Sequence, residues 1–529
     1  MSELWTNSAT DLAGLIARRE ISSAEAVAAH IARIEAVDGM LNAVVVRRFD
    51  EALAEAKAAD EQQARGEPLG PLHGVPVTIK ECFDVTGTAS TFGLTTRAND
   101  RATADDPHVA RWRAAGAIVL AKTNLSQLMI FIESDNPLYG RTNNPWDIGR
   151  SCGGSSGGEG AIIAAGGSPL GLGSDIGGSL RNPAAFNGIV SMKPTTGRLN
   201  DTTRLETYAG QTAIVSQEGP LARTVADTEL GLEIANGGRD PEGVPARTLG
   251  AAKDVDVRGL RIGYYEHLGS FRSAPALARA TRESAAILEE MGAHVVPFDP
   301  PGVDHAMNLF YGILSADGGR GAIAVLGKGP RDKRVAALFD IVSKPRAQIA
   351  PIELLLKLTG QRGLLEIVRN YGYTDTRHYW DLVGQLETYK ATFAAAMNGV
   401  AGGPLDAIVC PPGGLPAIRH GAAADVSVAG AYAPLYNVIG YPTGTIPFTR
   451  VRADEELGRK PSRDSVEAAA LENERGSAGL PAGVQVVARP WREDVAFAVM
   501  YAIESVARTH ADYPTTPVTP SYAHTPAPA

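Results

Sequence analysis

Residues 153–179 read GGSSGGEGAIIAAGGSPLGLGSDIGGS, and this stretch constrains the chain more tightly than any other. It sets two serines, Ser155 and Ser179, in separate glycine-rich turns joined by a small-residue run of helical character. Glycine lets backbone N–H groups converge and lets another group approach the main chain closely. A serine closing Asp175-Ile176-Gly177-Gly178-Ser179 therefore sits where main-chain donors can stabilise an oxyanion. Upstream, the apolar run GVPVTI at 74–79 reads as a strand and ends in Lys80. A lysine that ends a buried strand is poorly solvated, and desolvation favours the free amine, a usable base.

Short β-like runs at 75–79, 117–121 and 170–173 alternate with helical ones, which predicts an α/β fold around a mixed or parallel sheet. The N-terminus reads as amphipathic helices, with Ser8 or Thr10 capping the first and Ser22 or Ser23, with Glu25, starting the second. Residues 51–63 read as a surface helix. A compact strand–helix–strand unit follows at 260–265, 276–291 and 294–298. Residues of about 304–400 are helical in pattern and read as a cap inserted beside the site, and about 453–477 as an exposed loop. The expectation is one domain over 1–508, followed by a Pro/Thr-rich tail at 509–529 that is disordered or draped on the surface.

The chain has 529 residues, 44% hydrophobic and 21% charged, enough for a large core. A net charge of −9 without any basic run argues against nucleic acid as a partner. The three cysteines are far apart, form no CxxC pair and point to a reducing compartment. With neither a signal-peptide pattern nor an apolar run of membrane-spanning length, the expectation is a cytoplasmic protein with no integral membrane span. The ten histidines show no HExxH spacing, so neither metal nor cofactor is expected.

Each signal has an ordinary alternative. Glycine clusters are often only turns, and a lysine after a strand is usually a solvated one. GGSSG at 153–157 also satisfies G-x-S-x-G, the nucleophile elbow of another hydrolase class, for which His420 and Asp425 are available partners. That elbow needs a buried strand directly before it, and 143–152 is polar and interrupted by proline and glycine. The apolar residues at 128–131 read equally as core.

Further blocks decide between these readings. They are HGVPVTIKE at 73–81, AKTNLSQ at 121–127, GRTNNPWD at 140–147, GGSSGG at 153–158, GSDIGGSLRNPAAFNGIVSMKPT at 173–195, YPTGTIP at 441–447 and LPAGVQVVA at 480–488. Together they resemble the amidase signature hydrolases, which use a Ser–cis-Ser–Lys triad, and the resemblance runs over nearly the whole chain. It implies a single domain, a central mixed β-sheet covered by helices on both faces, with the helical cap inserted.

The resemblance further implies Ser179 as nucleophile, Ser155 as the cis-serine that shuttles the proton, and Lys80 as general base. It implies the backbone of Ile176, Gly177, Gly178 and Ser179 as oxyanion hole. Ser156 is expected as a hydrogen-bonding support for Lys80, and Asp175 paired with Arg181 as a brace for the loop. Met129, Ile130 and Phe131, with the helical region at 354–365, are expected to shape an apolar acyl pocket. Cys152, Asn182 and Asn187 depart from the usual pattern without touching the triad, and Gly158-Glu159 with Ile176 leans toward the fatty-acid-amide-hydrolase-like branch.

The implied reaction is hydrolysis of carboxylic amide C–N bonds through a serine acyl-enzyme, with esters, anilides and carbamates as further small-molecule substrates. A homodimer is left open. The alternative reading is the A-type subunit of a glutamine-dependent tRNA amidotransferase.

Overall fold

Ser8 and Ser22 each accept a hydrogen bond from the amide three residues on, and Asp11 and Glu25 reach back to the cap amides. These two capping boxes start the helices Ala9–Ala17 and Ser23–Leu41. The computed structural model describes residues 3–199, 207–208, 210–237 and 245–522, so the end of the expected tail lies outside the described residues.

The runs that read as strands form the heart of an eleven-stranded sheet. Pro76–Lys80 lies parallel to both Ile118–Thr123 and Leu170–Asp175. All three are buried along their whole length. Such unbroken burial explains their near-continuous apolar sequence, since a strand covered on both faces has no solvent side to mark by alternation. Each fully buried Val, Leu or Ile contributes roughly 1.5–3 kcal/mol. The sheet continues antiparallel through Gln217–Ala222, Val190–Lys193, Thr443–Arg450, Pro481–Ala488 and Ala407–Cys410. It ends in the parallel pair Arg261–Tyr264 and His294–Pro297, joined by the helix Pro275–Glu290. The molecule is thus an α/β fold with a large central mixed sheet flanked by helices.

Six helices occupy 303–398, from Val303–Leu314 to Thr376–Asn398. Phe310, Ile313, Leu386 and Phe393 are buried in the core that these helices share with the adjoining half of the sheet. The region expected as an exposed loop at 453–477 holds instead the helix Ser465–Glu474. Asp464 caps it by accepting from the amides of Val466 and Glu467, and Val466, Ala470 and Leu471 are buried. Arg459 ties the preceding segment to this helix through Glu467 and Glu474. The anchors are small side chains and buried ion pairs, so the segment reads as polar although it packs. The tail also packs: Val518 donates its amide to the Ala164 carbonyl, and Tyr513 is buried. Among the described residues no helix is long and apolar enough to cross a membrane.

Candidate active site

The central parallel strands deliver their C-terminal ends to one place. Lys80 ends its strand fully buried, and its Nζ is hydrogen bonded to Ser155 Oγ at 2.7 Å. The same nitrogen lies 3.0 Å from Ser174 Oγ and 3.5 Å from the Ser174 carbonyl. The Gly154–Ser155 peptide is cis. The Ser156 amide donates to the Ser179 carbonyl at 3.2 Å, which ties the first glycine turn to the second.

Ser156 itself differs from expectation. Its hydroxyl donates to the Ser174 carbonyl at 3.3 Å and accepts from the Ser174 amide at 3.4 Å. Ser174 in turn touches the lysine. Ser174 was missed in the sequence; the signal available was its place one residue before Asp175 at the end of a buried strand.

The second turn is braced from below. Asp175 and Arg181 are fully buried and paired through two hydrogen bonds of 3.0 Å. Arg181 also donates to the Ala433 carbonyl and to Asn437 Oδ1. Burial pushes the Asp175 carboxyl up, but Arg181, Asn437 and the Gly178 amide outweigh it and hold the carboxyl well below the usual carboxylate range.

The Gly178 amide donates to Asp175 Oδ1 at 2.7 Å. It is therefore engaged in shaping the loop rather than free for an oxyanion, which leaves Ile176, Gly177 and Ser179 of the expected set. Gly178 has φ +110°, and a Cβ there would come within 2.7 Å of the Ala433 Cβ, so the turn requires glycine at this point.

Ser155, Ser174, Ile176 and Ser179 line one small cavity. Beside it opens a larger, mainly apolar cavity of about 160 Å³, bordered by Ser179, Ile176 and Gly177 at its base. Met129, Ile130 and Phe131 line its wall, together with Phe310, Leu338 and Phe339 from the helical insertion. The leucine-rich region at 354–365 does not shape it: Leu354, Leu355 and Leu358 are 59%, 60% and 76% exposed.

Arg334, on the helix Lys333–Val342, pins the insertion to the core. Its guanidinium pairs with Glu133 at 3.2 Å, Asp135 at 3.3 Å and Asp332 at 2.7 Å, and it sits over the Phe131 ring at 5.9 Å. The elbow reading finds no support. Asn143 and Ser151 make only an isolated bridge, the His420 ring is held by the Ile148 carbonyl, and Asp425 is exposed.

A buried lysine, two serines and a glycine turn thus meet at the strand ends of a mixed sheet. The Amidase family model matches residues 25–496, and the chain belongs to the amidase signature family. It is 35% identical over 455 residues to fatty-acid amide hydrolase 1 of Sus scrofa, covering 84% of this chain and 76% of that protein. The A component of a glutamyl-tRNA(Gln) amidotransferase from Salinispora arenicola (strain CNS-205) is 38% identical over 328 residues, 60% of this chain and 65% of that one. A solved fatty acid amide hydrolase shares the fold, with a TM-score of 0.80 at 24% identity over 95% of this chain and 85% of that one. The protein is an amide-hydrolysing enzyme. The amidotransferase reading is the weaker one, because that likeness covers 60% of the chain against 84% for the hydrolase.

Proposed function

We propose that the enzyme cleaves amides of apolar carboxylic acids through an acyl-enzyme on Ser179. An amide carbonyl is a poor electrophile, so the site must supply an activated nucleophile, an oxyanion pocket and a proton for the leaving amine. Lys80, as the free amine, takes the Ser155 hydroxyl proton while Ser155 takes that of Ser179. Ser179 Oγ attacks the carbonyl carbon, and the C=O electron pair moves to the oxygen, held by the amides of Ile176, Gly177 and Ser179. The tetrahedral species collapses with loss of the C–N bond, and the proton returns from Lys80 through Ser155 to the departing nitrogen. Water activated by the same relay then hydrolyses the ester and frees the acid. This is the serine-triad logic with lysine as the base.

The observation that carries this reading is the 2.7 Å hydrogen bond from Lys80 to Ser155, which lines the same cavity as Ser179. Full burial of Lys80 supports it, because desolvation disfavours the ammonium form. The apolar cavity beside Ser179 supports an apolar acyl group, and the likeness to a protein named for fatty-acid amides agrees with that. Esters, anilides and carbamates present the same carbonyl and fall within the same chemistry. Three buried cysteines that form no disulfide with one another fit a reducing compartment, and the cytoplasm is the location we assign.

A series of anilides with acyl groups from acetyl to decanoyl tests the substrate class. Each added methylene contributes about 0.8 kcal/mol, so kcat/KM is expected to rise about fourfold per carbon until the cavity is full. A flat profile contradicts the assignment.

A further inference from the structure

Glu159 has no part in the steps above. It sits in the first turn of the helix Gly157–Ala164, four residues after Ser155, and is fully buried. Its Oε2 accepts from Thr78 Oγ1 at 2.6 Å, and its Oε1 from Thr123 Oγ1 at 2.8 Å. Thr78 and Lys80 are two residues apart on one strand and therefore share a face of the sheet. The neighbouring strand makes room for the carboxyl group at Gly171, where a Cβ would come within 1.9 Å of Oε2. A carboxyl group is costly in a core unless its oxygens are bonded, and two hydroxyl donors aimed at them favour its charged form.

We propose that Glu159 is a positioning residue that holds the counter-charge of Lys80 and so governs how readily the free amine forms. The idea rests on the reading of Lys80 as the base. Burial outweighs the pull of Thr78, Thr123 and the Lys80 charge and raises the Glu159 carboxyl to about 8, so its counter-charge comes into play as the pH rises through that value. The same attraction favours the ammonium form of Lys80, so loss of the carboxylate charge favours the free amine.

The charge of Lys80 acts on Glu159. Asp175 and Arg181 are engaged with each other, and Lys122 bonds the Ala89 carbonyl and Ser90. His30 and Asp38 of the helix Ser23–Leu41 bond backbone groups near themselves. Glu218 lies opposite Ser174 on the adjacent strand and is unchanged in every variant below.

The test is the pH dependence of kcat/KM in Glu159→Gln, which keeps the shape and an acceptor. The midpoint of the acid limb is expected to move to lower pH by about one unit, a tenfold change in free amine at a given pH. Thr123→Val removes one donor to the carboxylate and is expected to move the midpoint the same way by less. A purely structural role scales the rate at every pH and leaves the midpoint in place. An unmoved or raised midpoint in Glu159→Gln overturns the proposal, and Thr123→Val decides in its place should the glutamine variant not fold. Lys80→Ala separates the two readings: parental activity in that variant overturns Lys80 as base, whereas its inactivity beside an unmoved midpoint overturns Glu159 alone.

Discussion

Asp175 shows how a single side chain can hold a catalytic loop. Its two oxygens bind Arg181, the amides of Gly178 and Leu180, and Asn437, all out of contact with water. Removing one partner of such a buried pair leaves the other charge uncompensated and costs about 3–5 kcal/mol. Asp175→Asn is therefore expected to lower the unfolding free energy by about that much at neutral pH, read by urea denaturation. Because the folded carboxyl is held below its ordinary value, its contribution is present above that value and is lost as the pH falls through the depressed one. The gap between parent and variant should narrow in acid. A variant as stable as the parent at neutral pH contradicts this account of the loop.

At the scale of elements, the wall of the apolar cavity depends on how the helix Lys333–Val342 is pinned. Arg334 joins it to Glu133 and Asp135, and Glu133 in turn accepts the amides of Gly421 and Ala423. Hydrogen bonds to charged groups are worth about 1.5–3 kcal/mol, so Arg334→Met loosens the helix that carries Leu338 and Phe339 into the wall. We expect the preference for long over short acyl groups to fall about tenfold, with acetyl substrates nearly unaffected; an unchanged acyl-length profile contradicts the role. This element also marks where sequence reading stops. The glycine turns, the strand ending in Lys80 and the Asp175–Arg181 brace lie within short stretches of chain, and their residue types state their purpose. The cavity wall is assembled from segments some 200 residues apart, and nothing in the leucine-rich stretch near 354 says that it faces outward while Leu338 and Phe339 face in. The contact of Ser174 with Lys80 and the engagement of the Gly178 amide depend on which atoms meet across strands and turns, and the one legible sign, for Ser174, is its place before Asp175 at a strand end. The helix Ser465–Glu474 was hidden by its small buried anchors.

Across the whole molecule, the sheet brings together a strand end near residue 80, a turn near 155 and a turn near 179, while the helical insertion more than 120 residues further along the chain roofs the acyl side. That division separates chemistry from selectivity. In the proposed mechanism the sheet and its turns hold the attacking group and the proton relay, and the insertion limits what acyl group can reach them. The account stands on Ser179 being the residue that carries the acyl group. The most direct measurement is mass spectrometry of peptides from enzyme quenched during turnover of a slowly released carbamate or anilide. The account predicts an acyl mass added to the peptide containing Ser179, absent in Ser179→Ala. An adduct found on Ser155 with Ser179 unmodified would contradict it.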